Sequence, residues 1–426
     1  MATDVDVQYF SHLNGLTLNN NWGDLIRLLD KALVTGIDFT QITAASIDAQ
    51  GDVHITLYAA HNAMLFQVVE LSGFTPISLN QKYRIKGVPS ATELILKPHT
   101  AIVETSITTV GAGKLASLGY EIIFRDTNDV KRVYRAKNPR AEHPFIRVDE
   151  SLTSPDGTTG VYTSTYAKSA MVGLLEHIEH IDDYENPNFQ QLPFDPSDPA
   201  KNWKITGTGT GVVRGWSKWY WAAGPWNSTV AETASITNGN RNFTLIGDQD
   251  AFYIQRSVNP SANVANHKYL MGCGLFDGCT EDIGVANWFL MTTINDASAS
   301  KTIAVYSAHV GGMPLVRDAT VSRFIVSKYD GVSATSNHTT AIPILPNYDS
   351  GFTNMFGGAE VGALQIPLYD TESILRGNLK HVHFSGKALS LSATTSIMSA
   401  DSLYVADGLV TTGANIGSLI YYLGEI

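Results

Sequence analysis

The chain has 426 residues and a formal net charge of −11, from 29 Lys plus Arg against 40 Asp plus Glu. Its length suggests roughly two to four domains. Its low share of charged residues, 16%, is typical of a protein with short strands and many turns, part of whose surface is covered by partner proteins or by further copies of the same chain. The acidic balance, with no basic run longer than Lys131-Arg132, excludes nucleic acid as an expected partner.

The N-terminus lacks the basic region and apolar run of a signal peptide. No apolar segment approaches the roughly 18 residues that a membrane helix requires. We therefore expect a protein that is made in a cytoplasm, stays soluble and has no membrane segment.

The first element is a helix over residues 24–35. Apolar residues recur there on one helical stripe, Asp24 stands near the positive end, and Gly36 is a natural stop. The residues predicted to be buried are Leu25, Leu28, Leu29, Ala32 and Leu33. Alternating patterns then predict strands at 53–57, 67–71, 83–88 and 93–97. We interpret residues 1–110 as an N-terminal β domain that this helix covers.

A second β segment follows over residues 111–186. Apolar residues predict two strands around the turn 126–129, and a third near 145–148. The densest positive charge of the chain lies here, at Arg132, Arg135, Lys137, Arg140 and Arg147. Two interpretations are open for it: a solvated or partner-facing surface, and a phosphate or polyanion site.

The second segment ends in an acidic, histidine-rich stretch at residues 176–183. If the stretch is helical, His177 and His180 lie close together and are candidate metal ligands. The order of residues is not H-E-x-x-H, however, and six acidic or His residues in eight are also typical of an exposed face.

Four prolines make residues 187–200 an extended connector and a domain boundary. The stretch 207–226 then carries four tryptophans: Trp216, Trp219, Trp221 and Trp226. Their interpretations are core or subunit-interface aromatics, and stacking on a sugar. The glycines before them do not form a phosphate loop, because the Lys-Ser/Thr ending is missing.

Residues 201–426 are interpreted as a larger C-terminal β domain. Residues 242–256 predict a hairpin with one buried face around the turn 247–250. Further strands are predicted at 288–293, 302–307, 323–327, 379–384 and 419–423. Two cysteines, Cys273 and Cys279, are too few for a disulfide framework, and both a small loop bridge and ordinary buried thiols stay open.

The predicted fold is therefore mainly β, with several small antiparallel domains, sandwich or barrel-like, and one N-terminal amphipathic helix. The chain shows neither an internal repeat nor a heptad run, which favours a compact adaptor or plug over an elongated fibre.

A second histidine pair, His381 and His383, lies on one predicted strand, so both imidazoles share a face. Three chains meeting on an axis would present six ring nitrogens to an iron; surface or hydrogen-bonded histidines are the simpler interpretation. Gly-x-Ser-x-Gly is absent, and Asp248 and Asp250 are explained as turn residues. We expect no enzyme activity and no cofactor.

Residues 118–151 resemble a segment of structural proteins of tailed-bacteriophage virions. In that pattern a Gly-aromatic turn leads to a strand, a "YRSKNP"-like bend and an "RVDD" strand. The matching residues are Tyr134, Lys137, Asn138, Pro139, Arg147, Val148 and Asp149. Residues 61–88, 242–254 and 373–384 agree in the same order, whereas 141–143 and 249–250 depart from the pattern.

The resemblance implies a tail, baseplate or fibre-associated component of a virion, made in the host cytoplasm. Together with the low charge and abundant aromatics, it predicts a symmetric oligomer, a trimer or hexamer, in contact with other virion proteins. The alternatives are a capsid decoration protein, a receptor protein that binds a host surface glycan, and a glycan-cleaving enzyme.

Overall fold

The computed structural model describes residues 3–153, 165–208, 211–223, 229–231, 235–257, 259–260, 268–278, 285–294, 302–304, 324–328, 338–344, 362–385, 394–410 and 416–426. Helix α1 spans Asp24–Leu29 and continues as a π-helical turn over Asp30–Thr35; 3-10 turns cover His12–Asn14 and Ile77–Leu79.

Almost all other regular structure is β. The strands of the first half are β1 (Gln8–Ser11), β2 (Ile37–Asp38), β3 (Ile42–Ile47), β4 (Val53–Leu57), β5 (Val68–Ser72), β6 (Lys82–Ser90), β7 (Glu93–Pro98), β8 (Ala112–Leu115), β9 (Tyr120–Arg125), β10 (Lys131–Ala136), β11 (Phe145–Asp149), β12 (Lys168–Leu175), β13 (Gln191–Leu192), β14 (Ile205–Thr206), β15 (Val213–Arg214) and β16 (Ser217–Ala222). The remaining strands are β17 (Thr229–Ala231), β18 (Phe243–Gly247), β19 (Ala251–Ser257), β20 (Lys268–Leu275), β21 (Asp277–Gly278), β22 (Trp288–Met291), β23 (Thr293–Ile294), β24 (Thr302–Ala304), β25 (Phe324–Ser327), β26 (His338–Pro343), β27 (Leu364–Asp370), β28 (Leu375–Ser385), β29 (Thr395–Ser399), β30 (Ser402–Val410) and β31 (Ile416–Glu425). The predicted mainly β, antiparallel fold with one N-terminal helix is confirmed.

The predicted helix is present over its full predicted length. Its five predicted core residues are all buried: Leu25, Leu28, Leu29, Ala32 and Leu33. It ends at Gly36, where the backbone has φ 72° and a Cβ would lie 2.1 Å from the carbonyl oxygen of Leu115. Only glycine fits this stop, because a side chain meets both an unfavourable backbone conformation and the neighbouring strand. Among the described residues, no helix has the length and apolar character needed to cross a membrane.

The N-terminal seven-stranded sheet is rolled up. Its strand order is β2-β8-β5-β6-β7-β4-β3, so β2 and β3 occupy opposite edges. Residues 39–41 alone separate these strands and span at most about 14 Å, whereas seven strands laid flat extend about 29 Å. The sheet must therefore curl towards a barrel, and its inner face supplies the core residues Val53, Ile55, Leu71, Tyr83 and Leu96.

A second sheet joins strands from distant parts of the chain, in the order β23-β16-β12-β11-β10-β9, with β13 paired to β12.

The predicted division of the chain into 1–110, 111–186, 187–200 and 201–426 stays a prediction, but the sheets do not end at its boundaries. Strand β13 lies inside the Pro-rich connector and pairs Leu192 with Leu174. Strand β16 comes from the C-terminal region and pairs with β12.

The third large sheet has 13 strands, with the path β1-β18-β19-β20-β22-β25-β26-β27-β28-β31-β30-β29 and β21 paired to β28. Its strands fold back on one another. The Tyr421 hydroxyl on β31 lies 2.6 Å from Gln255 Oε1 on β19, and Thr394 Oγ1, just before β29, lies 3.4 Å from Ser11 Oγ on β1. The sheet thus wraps around its own hydrophobic cluster, which includes Ile246, Tyr253 and Tyr421.

The central hairpin, β18 and β19, is present with the predicted turn, but the prediction of one buried face is wrong. All residues of both strands are buried. Leu245 and Phe252 face one hydrophobic cluster, whereas Ile246 and Tyr253 face the other. The hairpin is a layer between two cores, so polar residues such as Thr244 and Gln255 are buried too and are hydrogen-bonded inside the protein rather than solvated.

Candidate functional site

The turn between β18 and β19 is the centre of a charged cluster, which we call the turn cluster: Asp248, Asp250, Arg140, His143, Lys380 and His381. Asp250 Oδ1 lies 2.7 Å from His143 Nε2 and 2.8 Å from an Nη of Arg140, and its Oδ2 lies 2.5 Å from Lys380 Nζ. Asp248 Oδ2 lies 2.9 Å from His381 Nε2. Both carboxylates therefore join the hairpin to other strands and loops.

The two aspartates are held in their ionised forms. Burial alone would raise the pKa of Asp250, but the hydrogen bonds from His143 and Lys380 outweigh it and hold that pKa well below its usual range. The pKa of Asp248 is also lowered, because the bond from His381 and the amide of Ala251 outweigh burial. Neither carboxyl is suited to act as a general acid near neutral pH, because such a group needs a pKa near the working pH.

The histidine-rich stretch does not form the helix on which its metal site was predicted; it is an irregular connection between β12 and β13. His177 Nε2 lies 3.2 Å from Glu179 Oε1, and its ring packs on Phe189. His180 Nδ1 accepts a hydrogen bond from the amide of Asp182. His177 and His180 were candidate metal ligands because a helix would place them close together. Since the stretch is not helical, that reason no longer holds.

The second pair lies on β28, as predicted, but each ring has its own environment. His381 has a positive φ of 61° and bonds Asp248, whereas His383 packs against Tyr422 with ring centroids 6.3 Å apart. Burial lowers the pKa of His383. Within the described part of the chain, no group of three or more His, Cys, Asp or Glu is arranged to hold a metal ion.

The three described tryptophans of the set, Trp216, Trp219 and Trp221, are buried core residues rather than sugar-stacking platforms. Trp219 and Trp221 are 1% and 0% exposed, so neither ring has a face for a sugar or a second subunit. Trp216 is buried too, with His338 at its edge and the ammonium of Lys201 over its ring. Trp226 lies outside the described residues. Cys273 is a buried free thiol, and Cys279 also lies outside the described residues.

The basic residues predicted as a surface or polyanion site do not form one patch. Arg132 is buried and pairs with Asp30 and Asp129. Arg135 packs over Phe145, Arg140 belongs to the turn cluster, and Lys137 is exposed. Arg132 and Arg135 point to opposite faces of β10, because side chains an odd number of positions apart alternate across a strand, and the other three basic residues lie beyond β10.

Arg147, the fifth basic residue, belongs to the wall of a cavity of about 620 Å³ beside the β9–β10 turn. It is 1% exposed and lies between two aromatic rings, 4.2 Å from the centroid of Trp203 and 4.7 Å from that of Tyr184. Its Nε donates to the carbonyl of Ile181 at 2.8 Å. The lining includes both polar turn residues, such as Asp126 and Asn128, and the aromatic residues Tyr184 and Trp203.

The guanidinium of Arg147 is held by two carboxylates. One Nη lies 3.1 Å from Asp149 Oδ2 and 3.0 Å from Asp182 Oδ1. The other, Nη1, is buried and has no hydrogen-bond partner. A buried donor without an acceptor costs about 1–3 kcal/mol.

Sequence reasoning missed most of these residues as members of a site. Lys380 lies inside a segment of the viral resemblance, whereas His143 and Asp250 lie at the two places where the chain departs from that pattern; these departures were the available signal. Tyr184 and Trp203 flank the Pro-rich stretch and carry no motif, so their meeting at Arg147 is visible only in three dimensions.

No protein-family model matches the chain, and no curated protein matches it. Among solved structures, the chain is similar to a phage phi92 endosialidase at 8% sequence identity and a TM-score of 0.14. The alignment covers 92% of this chain and 51% of the endosialidase, so the chain spans about half the length of that protein. A TM-score of this size is no sign of a shared fold, and nothing about this chain follows from it.

Proposed function

We propose that this chain is a non-enzymatic structural component of a tailed-phage virion, a tail or baseplate protein that assembles as a symmetric oligomer. The proposal begins from the four segments of sequence resemblance. What supports it most is that three of those segments meet at the turn cluster, which takes Arg140 and His143 from 118–151, Asp248 and Asp250 from 242–254, and Lys380 and His381 from 373–384. The segments carry this support as wholes, since His143 and Asp250 themselves stand where the chain departs from the viral pattern.

The fourth segment, 61–88, ties the two ends of the described chain together. The buried Arg84 donates to the carbonyl oxygens of Asp4, Val7 and Phe66, and to that of Leu423. Asp4 in turn exchanges hydrogen bonds with Glu425. Residues shared with the viral pattern thus stabilise tertiary structure, which is the role that a structural protein needs from them.

The non-enzymatic part of the proposal is supported by how the acid–histidine pairs are used. His143–Asp250 and His381–Asp248 each bridge separate strands or loops, and both carboxyls have lowered pKa values. A carboxyl that acts as a general acid instead needs a pKa near the working pH, and neither Asp248 nor Asp250 has one. Release of reducing ends from host polysaccharide by the pure protein would contradict this part.

The oligomer is tested by light scattering of the full-length protein with and without a chelator. We expect the mass of a trimer or hexamer. Ile77 and Val103, 84% and 86% exposed, lie on neighbouring segments joined by the Ser78–Glu104 hydrogen bond, and are the first positions to test as an interface between copies. Ile77→Asp with Val103→Asp should dissociate the oligomer, whereas Tyr58→Ser, at another exposed apolar residue, should not.

The position in the particle is tested by immunogold labelling of intact virions with an antibody against this chain. Label at the tail or baseplate is expected, and label over the head would favour a capsid decoration protein instead. A monodisperse monomer that binds no other particle component would overturn the structural proposal as a whole.

A further inference from the structure

We propose that the cavity at Arg147 binds a neutral saccharide. This inference does not rest on the virion assignment, and it places sugar binding away from Trp216, Trp219 and Trp221, which are buried. The cavity, about 620 Å³, lies within the roughly 300–1,000 Å³ of small-molecule sites. Its lining residues come from the β9–β10 turn and from the connection that follows β12, among others.

The first argument is the unsatisfied donor. Arg147 is fixed by Ile181, Asp149 and Asp182, and its aromatic neighbours hold the guanidinium plane. Its buried Nη1 has no acceptor. Nη1 itself is buried from solvent, so an oxygen-rich occupant would supply that acceptor after a small shift of the Arg147 side chain towards the cavity, and the bond would then remove the cost of the unpaired group.

The second argument is the charge balance of the walls, which decides the class of ligand. The lining holds three cations and three carboxylates: Arg125, Lys131, Arg147, Asp126, Asp149 and Asp182. Each cation already has a carboxylate within 3.1 Å: Arg125 with Asp129, Lys131 with Asp182, and Arg147 with Asp149 and Asp182. An anionic ligand would have to compete with these pairs, whereas a hydroxyl both donates to carboxylates and accepts from guanidinium.

The third argument is the mixture of surfaces. Tyr184 is partly exposed and supplies an aromatic face, while Asn128 and Thr127 on the opposite turn are exposed and supply hydroxyl and amide groups. A pyranose ring has one apolar face and a rim of hydroxyls. A lining that combines aromatic rings with polar groups suits that ligand, and fits no purely apolar one.

The test uses the full-length protein and saturation-transfer NMR with methyl glycosides of glucose, galactose, mannose and N-acetylglucosamine and with their disaccharides. Glucuronate and inorganic phosphate serve as charged comparators. We expect saturable binding of at least one neutral saccharide and weaker or no binding of both comparators.

Matched variants assign that binding to the cavity. Tyr184→Ala should weaken it at least about tenfold, Tyr184→Phe should keep the ring and stay within about threefold, and Tyr58→Ala, outside the cavity, should have no effect. Asn128→Ala changes only an exposed turn residue, so it should weaken binding while the fold is retained, even if Tyr184→Ala misfolds.

Three results would each overturn the inference. They are an absence of binding across the neutral panel at millimolar concentration, phosphate or glucuronate binding more tightly than every neutral saccharide, and neutral binding that both Tyr184→Ala and Asn128→Ala leave unchanged.

Discussion

The ion pair between Lys268 on β20 and Asp407 on β30 offers a direct test of how the 13-stranded sheet is held together. The two side chains are 1% and 0% exposed, and Lys268 Nζ donates to Asp407 Oδ1. Thr244 Oγ1, on β18, donates to the other carboxylate oxygen at 2.9 Å. Because both charges are removed from water, loss of either partner leaves an uncompensated buried charge, which costs about 3–5 kcal/mol.

We therefore expect Lys268→Met and Asp407→Leu each to lower the free energy of unfolding by about 3–5 kcal/mol. The double variant should be less destabilised than the sum of the two by at least about 2 kcal/mol, because no unpaired charge remains. Lys204→Met is the matched control: its pair with Asp198 is largely exposed, and such a pair contributes about 0–1 kcal/mol.

The assay is equilibrium unfolding in urea, followed by tryptophan fluorescence and circular dichroism, with the midpoint and slope compared for each variant. Coincident transitions are needed before free energies are compared. The reasoning fails if Lys268→Met is no more destabilising than Lys204→Met, or if the double variant shows no coupling between the two positions.

Three further predictions concern single side chains. Leu28→Ala should cost about 2–5 kcal/mol, because Leu28 is buried in the core cluster; Arg27→Ala on the exposed face is its control, and equal melting temperatures would mean that the helix is not docked. Asp250 has a lowered pKa in the folded state, so its stabilisation is present above the unfolded pKa of about 3.9 and is lost as pH falls through the folded value. On acidification, the melting temperature of Asp250→Asn should therefore fall less steeply than that of the unsubstituted protein. Parallel curves of melting temperature against pH for the two proteins would contradict this. Glu150 has its pKa raised to about 7 by burial, although the amides of Gly23 and Ile26 donate to it. The stability that the protonated Glu150 carboxyl contributes is therefore fully present below its unfolded pKa of about 4.3 and is lost as pH rises through about 7. The free energy of unfolding of Glu150→Gln should change less between pH 5 and 8 than that of the unsubstituted protein, as measured by urea unfolding at each pH.

Local patterns predicted elements well where one face of an element meets the core. The helix at 24–35 and the strands at 53–57 and 93–97 each bury every third or fourth residue, or every second one, so their periodicity shows in the sequence. The hairpin 243–257 carries less signal, because both of its faces are buried. Thr244 and Gln255 read as solvent-facing, but they bond Asp407 and Gly408 inside the protein.

Pairing between strands was not predictable, because alternation specifies a strand but not its neighbour. Strand β1 pairs Tyr9 with Ile246, far along the chain, and completes an edge of the largest sheet. The residues of the candidate sites were not predictable for the same reason, since neighbours in space are not neighbours in sequence. Asp250 meets His143 and Lys380 only after three sheet segments are assembled, and a histidine pair such as His177 and His180 was favoured only because its residues are close in sequence.

Three buried arginines hold distant parts of the chain together, a role that the low charge content of the sequence did not indicate. A sequence with few charges suggests that those present lie on the surface, but Arg84, Arg132 and Arg147 are at most 1% exposed. Each has fixed oxygen partners from distant segments: Arg84 meets backbone carbonyls from both ends of the chain, Arg132 meets Asp30 on the helix, and Arg147 meets Asp182 beyond β12. A guanidinium presents five donors in a rigid plane, so it can join several strands whose side-chain patterns carry no sign of their meeting. These three arginines therefore join distant segments, and Arg147, whose Nη1 is buried without an acceptor, also lines the cavity where we place a ligand.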